Sequence, residues 1–204
     1  FQTETVLTAE NELKNFGAAA GVMGNVAIFD WKLEARYFSG TFRPGYFDKT
    51  YDRMRYSYVD DVLAYLLDPA DEQYSGFIFG IFGQGGFNIP GVFSLTSGYM
   101  WPWDIRDNEV IISEEDTFFI RGLLDRSVIP YADIELSLEF DRRRLVTPFF
   151  ADEYPTPTIN NFTDFLDYLG NSDTVAKATA KKGLGDLLDI IFTYKITLER
   201  DLNG

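Results

Sequence analysis

The residues best equipped for chemistry in this sequence are carboxylates. Glu114, Glu115 and Asp116 stand together in SEEDT, and clustered hard oxygens of that kind suit Ca²⁺. An acidic loop that water solvates has the same composition, and that is the expected role. Glu135 and Glu139 form a second pair. Four residues of strand rise set them about 13 Å apart, beyond the reach of the paired-carboxylate glycoside mechanisms. The chain has no His and no Cys, which excludes Ser-His-Asp and Cys-His nucleophilic catalysis, imidazole and thiolate metal sites, and disulfides. The glycines of GQGG, Gly83 to Gly86, are followed by neither Lys-Ser/Thr nor a helix start, so they form no phosphate loop. They read as a strand end and turn. Arg142, Arg143 and Arg144 make the one basic cluster. It suits an anion-attracting constriction or a lipid phosphate, and solvated charge at a strand end is the expected role. Asn161 to Thr163 matches a glycosylation sequon, but Asn161 is better placed as a helix cap. No enzyme activity, metal or cofactor is expected.

The bulk properties narrow the class. The 204 residues carry a net charge of −14, which argues against nucleic acid or an anionic membrane surface as an electrostatic partner. The length suits one domain, residues 1–204. No apolar run approaches the length of a transmembrane helix. The start shows neither an initiator Met nor a basic-then-apolar leader, so a signal peptide of an exported protein would already be missing.

The elements that must position these residues are strands. In AIFDWKLEARYFSG, the positions Ala27, Phe29, Trp31, Leu33, Ala35 and Tyr37 are apolar, while Asp30, Lys32, Glu34 and Arg36 alternate with them. A period of two is a strand whose two faces meet different surroundings. Phe93, Leu95, Tyr99 and Trp101 repeat it against Ser94, Thr96 and Gly98. Ile134, Leu136, Leu138 and Phe140 oppose Asp133, Glu135, Ser137, Glu139 and Asp141. Phe192, Tyr194, Ile196 and Leu198 oppose Thr193, Lys195, Thr197 and Glu199. GFIFGIFGQGG is less clean, and FFIRGLLDRS is ambiguous, with Phe119 and Leu123 set against Ile120, Gly122 and Leu124. Weaker strands are placed at about residues 1–8 and 16–23, for eight strands in all. Several run longer than the roughly 5–6 residues common in soluble sheets.

The connections sort by length. Short ones are expected at Gly24, at GFNIP and at SVIP; longer ones are AENELKN and residues of about 39–75, 102–117 and 144–187. Their strict alternation puts tight turns at one end of a meander and long loops at the other, an asymmetry of transmembrane β-barrels. Two loops hold short helices: YVDDVLAYLLD, and NNFTDFLDYLG with Phe162, Phe165, Leu166 and Leu169 on one stripe. Aromatic residues make up 17% of the chain. Tyr99, Trp101 and Trp103 share one face at a strand end, as suits a membrane–water interface.

From about Gly24 onward these strands resemble bacterial outer-membrane β-barrel proteins. FRPGYFDKTYDRMR, after the third strand, is similar to segments of spirochaete-type outer-membrane proteins. The ending ERDLNG departs from the C-terminal aromatic usual in that family, which implies a trimmed chain or one part of a larger barrel. The resemblance implies an all-β, antiparallel up-and-down transmembrane barrel of about eight strands in a bacterial outer membrane, contacting lipid. Phe29, Trp31, Leu33, Tyr37, Phe93, Leu95, Tyr99, Trp101, Leu136, Leu138, Phe140, Phe192, Tyr194 and Ile196 would face lipid. Asp30, Lys32, Glu34, Arg36, Asp133, Glu135, Glu139, Lys195 and Glu199 would face the lumen. The expected function is a structural or surface-binding barrel, or a porin-like channel preferring cations because acids lead that set six to three. Other barrel chains or surface ligands would meet the loops, and nucleic acid would not bind. The alternative is a soluble exported β-sandwich or α+β binding or lattice protein, periplasmic or extracellular.

Overall fold

The computed structural model describes residues 2–6, 15–40, 42, 63–64, 66–67, 76–106, 109–113, 116–129, 131–150, 157–170, 173–185 and 187–198, the first of these as backbone only. The fold is all-β. Ten strands are described: β1 Gln2–Val6, β2 Asn15–Val26, β3 Phe29–Ser39, β4 Phe77–Ile89, β5 Phe93–Arg106, β6 Glu109–Ile112, β7 Thr117–Leu124, β8 Ile134–Arg143, β9 Thr174–Gly183 and β10 Asp189–Leu198. They form one sheet in the order β1-β2-β3-β4-β5-β7-β8-β9-β10, with β6 paired to β5 off that path. The ladders of β1–β2, β5–β6, β5–β7, β7–β8, β8–β9 and β9–β10 are antiparallel. Among the described residues no ladder joins β1 to β10. One helix, α1, spans Phe162–Gly170. Leu63, Ala64, Leu66 and Leu67 are helical as well. No described helix is long and apolar enough to cross a membrane.

Several expected boundaries move. The path has nine strands and not eight, because residues 174–183, expected inside a long loop, form β9. An odd number of strands no longer returns an up-and-down chain to its starting side. The expected loop at 102–117 likewise contains the end of β5 and all of β6. Gly24 is not a turn. It lies inside β2 opposite Trp31, and a Cβ there would sit 2.8 Å from the indole ring. The turn is Ala27–Ile28, with Ala27 at φ 56°. Gly83 to Gly86 also lie within β4, and the chain reverses at residues 90–92, where Gly91 takes φ 71°. Gly86 is needed inside the strand, since a Cβ would approach the Leu95 carbonyl to 2.9 Å.

The chain divides into two compact units, residues 1–22, 34–82 and 101–113, and residues 23–33, 83–100 and 114–204. In the first, Tyr37 stacks on Phe77 with centroids 5.1 Å apart and packs against Phe16 at 5.3 Å, while Trp103 lies between Trp101 and Phe79. Phe38, Ile78 and Phe82 are buried there. The Arg36 guanidinium covers the Phe82 ring at 3.9 Å. In the second unit, residues 93–100 of β5 and strands β7, β8, β9 and β10 supply consecutive ladders, and α1 follows the 3-10 turn at Thr147–Phe149. Asn161 caps α1 as its sequence position suggests: its Oδ1 accepts from Asp164 N at 2.9 Å, and the Asp164 carboxylate accepts from Asn160 N.

Candidate functional site: the two faces of the sheet

Cross-strand partners in an antiparallel sheet point to the same side, so the strand registers sort the side chains of the second unit's ladders. One face carries Phe93, Leu95 and Tyr99 of β5, Phe118, Ile120 and Leu124 of β7, and Leu136, Leu138 and Phe140 of β8. It continues through Ala176, Ala178 and Ala180 of β9 to Phe192, Tyr194, Ile196 and Leu198 of β10. The other carries four carboxylates on β8 and β10, Glu135, Glu139, Asp141 and Asp189. Five cations from β7 to β10 join them, Arg121, Arg143, Lys177, Lys181 and Lys195. The apolar face is interrupted on β7 to β10 only by Arg142 and Lys182 among the charged groups. The ambiguous strand is thereby settled: Ile120 and Leu124 belong to the apolar face, and Phe119 and Leu123 to the charged one. Phe119 finds cover there across Gly98, whose missing side chain leaves room for the ring, and beneath the Arg121 guanidinium at 4.5 Å.

The four carboxylates are each met by a cation. Lys177 Nζ lies 3.2 Å from Glu139 Oε1, Arg121 lies 3.3 Å from Asp141, and Asp189 takes both Lys181 at 3.1 Å and Arg126 at 2.8 Å. Glu135 has Arg126 at 3.9 Å. Glu139 and Glu135 share a face but meet different cations, and Arg126 is shared among Glu135, Asp133 and Asp189. In the first unit Arg36 donates through Nε and Nη2 to Glu34, and Arg106 grips Asp104 through the same two nitrogens.

Exposure runs opposite to that of a sheet on an apolar core. On β3, Trp31, Leu33 and Ala35 are exposed while Lys32, Glu34 and Arg36 are half-buried. On β8, Leu136 and Leu138 are exposed while Glu135, Ser137 and Glu139 are half-buried. Phe29, Phe93, Leu95 and Trp101 are exposed too. Every residue of β10, including Phe192, Tyr194, Lys195 and Ile196, is exposed. Asp30 is exposed beside the β2–β3 turn, where Asn25 Nδ2 donates to it at 2.8 Å. Asp133 precedes β8 in a left-handed conformation, φ 47°. Glu199 lies outside the described residues.

The deeply buried polar groups depart from what their sequence positions suggest. Asp116 is not a solvated acid: it is wholly buried, accepting from Tyr99 Oη at 3.1 Å, Thr147 Oγ1 at 3.0 Å and Val146 N at 2.6 Å. Burial pushes its carboxyl above the usual range, against the pull of those hydrogen bonds. Its neighbours Glu114 and Glu115 lie outside the described residues. Among the described residues no group of three His, Cys, Asp or Glu side chains could hold a metal. Arg142 is not solvated charge either. Only 2% exposed, it donates to the Tyr168 and Leu169 carbonyls at the end of α1. Arg144 pairs with Asp173 at 3.3 Å. A lone arginine within an apolar alternation was the available signal, and the nearby DRRR run obscured it. No family model, curated protein or solved structure matches the chain.

Proposed function

We propose that this sheet is the wall of an outer-membrane β-barrel that works without catalysis, as a structural or surface-binding barrel. The observation that carries this reading is the reversed amphipathicity of the sheet. Among the described residues the buried hydrophobic side chains are Phe38, Ile78, Phe82, Met100 and Val175, while the buried polar ones are Asp104, Ser113, Asp116, Arg142, Thr147 and Thr174. A contiguous apolar face left open costs free energy in water, roughly 25 cal/mol per Å², and is satisfied by lipid. The mixed charges opposite suit a narrow interior where they neutralise one another. Strand lengths of 11 residues for β3, 13 for β4, 14 for β5 and 10 for each of β8 to β10 reach or exceed the roughly 9–11 residues a tilted strand needs to cross a bilayer.

The pairing of Glu139 with Lys177, Asp141 with Arg121 and Asp189 with Lys181 favours a filled or anchoring barrel over an ion-selective pore. The acid excess anticipated for a cation-preferring channel is offset there by Lys177, Lys181 and Arg121. Two measurements test the reading. Chromatography after detergent removal should show aggregation, and a protein that stays monodisperse would instead be a soluble exported binding module. Planar-bilayer recording under a KCl gradient should be silent, and a steady cation-leaning current would restore the channel.

A further inference from the structure

Three of the four residues of the α1 apolar stripe are exposed, and Leu169 at its end is half-buried. Phe162, Phe165 and Leu166 lie three and four residues apart on one side of the helix, yet they are 72%, 38% and 49% exposed. Contact is concentrated at the last turn. There Arg142 holds the Tyr168 and Leu169 carbonyls, Thr174 Oγ1 donates to Leu169 O, and Tyr168 Oη donates to Leu145 O at 2.6 Å. Phe149, 39% exposed, meets the Tyr168 ring at 5.5 Å, and Phe150 beside it is 64% exposed. These rings form an open patch.

The register says which side of the sheet holds the helix. Arg142 shares its face with Leu136, Leu138 and Phe140 and stands opposite Thr174 and Phe118. The clamp on α1 therefore sits at the end of the apolar face, and the patch extends that face. The sequence from Leu145 to Ala176 contains no Lys or Arg, whereas Asp164 and Asp167 lie on the helix itself. Nothing in the segment attracts an anionic surface.

We infer that α1 lies in the membrane–water interface beside the wall, tethered by Arg142, with Phe162, Phe165, Leu166, Phe149 and Phe150 in the headgroup–acyl boundary of zwitterionic lipid. This rests on the membrane reading of the sheet and adds a second, separately testable lipid contact. An interfacial helix with one apolar side buries it about 5–10 Å below the headgroups. The tether explains why so short a helix suffices: the wall supplies most of the membrane affinity, and the helix fixes how the long loop 144–173 meets the surface.

The absence of cysteine allows single nitroxide labels on the full chain, refolded into phosphatidylcholine vesicles. Phe162→Cys and Leu166→Cys report the helix stripe, Asp167→Cys its opposite side, and Leu138→Cys the wall. Paramagnetic relaxation by oxygen and by a water-soluble nickel chelate gives each label's depth. The expected result is hydrocarbon exposure at position 138, interfacial depth at 162 and 166, and water at 167. Adding phosphatidylglycerol should leave 138 unchanged and make 162 and 166 shallower. Aqueous labels at 162 and 166 with 138 in lipid would overturn the inference and leave the wall reading intact. An aqueous label at 138 with 162 and 166 in lipid would overturn the wall reading and keep the helix contact. Water at all three positions, or spin–spin broadening between copies at 162, overturns the inference.

Discussion

The Arg142 guanidinium lies 4.2 Å from the centre of the Tyr168 ring while donating to that residue's own carbonyl, so one side chain holds both the face and the end of the helix's last turn. Its cation also meets the negative pole of the helix dipole. Arg142→Met should lower stability by roughly 1.5–3 kcal/mol, the range for hydrogen bonds to a charged group. Limited proteolysis should then cut within 144–173 sooner. Arg142→Lys should recover only part of the loss, because an ammonium cannot serve two carbonyls and stack at once. Equal protease resistance of Arg142→Met and the native chain would refute the clamp.

Facing can be tested on β3. Leu33 is 49% exposed on the apolar side, and Glu34 beside it accepts from Arg36 at 2.7 Å. Leu33→Arg should cost about 2–4 kcal/mol if the site lies near a bilayer midplane. Glu34→Gln should cost about 0–1 kcal/mol. Refolding from urea into vesicles measures both, and equal yields and midpoints would contradict the assignment of faces.

Lys195 stands directly opposite Lys177, which is engaged with Glu139. Like charges opposed across a ladder repel. Lys195→Glu should raise stability by about 0.2–1 kcal/mol, and the gain should shrink in high salt as the pair is screened. A loss of stability, or a gain indifferent to salt, would mean that the two side chains do not interact.

Asp116 should make stability fall with rising pH. Its folded pKa is raised, chiefly by burial, so the folded chain holds this proton more tightly than the unfolded one. Its contribution is complete below the unfolded value, near pH 4, and declines as pH climbs through the raised folded value. The difference in urea midpoint between the native chain and Asp116→Asn should narrow or reverse over that window. A difference that stays flat would place the carboxyl in a wetter site than its burial indicates.

Strands β3, β5, β8 and β10 were legible in the sequence because bulky apolar residues alternate with charged or polar ones over several repeats, and α1 because Asn161 and Gly170 bracket a helical stripe. β9 was not. TVAKATAKKG alternates alanine with Lys and Thr, and alanine has little intrinsic preference for strand. What makes it a strand is its neighbours: Ala178 lies between Leu138 and Tyr194, and Ala180 between Leu136 and Phe192, so small side chains fit between two bulky rows. The facing of β7 was equally undecided, since both of its alternations contain apolar residues. Its register with β5 and β8 chose Ile120 for the apolar side. The roles of Asp116 and Arg142 depended on partners about thirty residues away, at Val146 and Thr147 and at Tyr168 and Leu169. Period and composition act locally and determined the alternating faces of the strongest strands. Which charge becomes buried is a property of what the fold carries over it, and only the tertiary structure decided that.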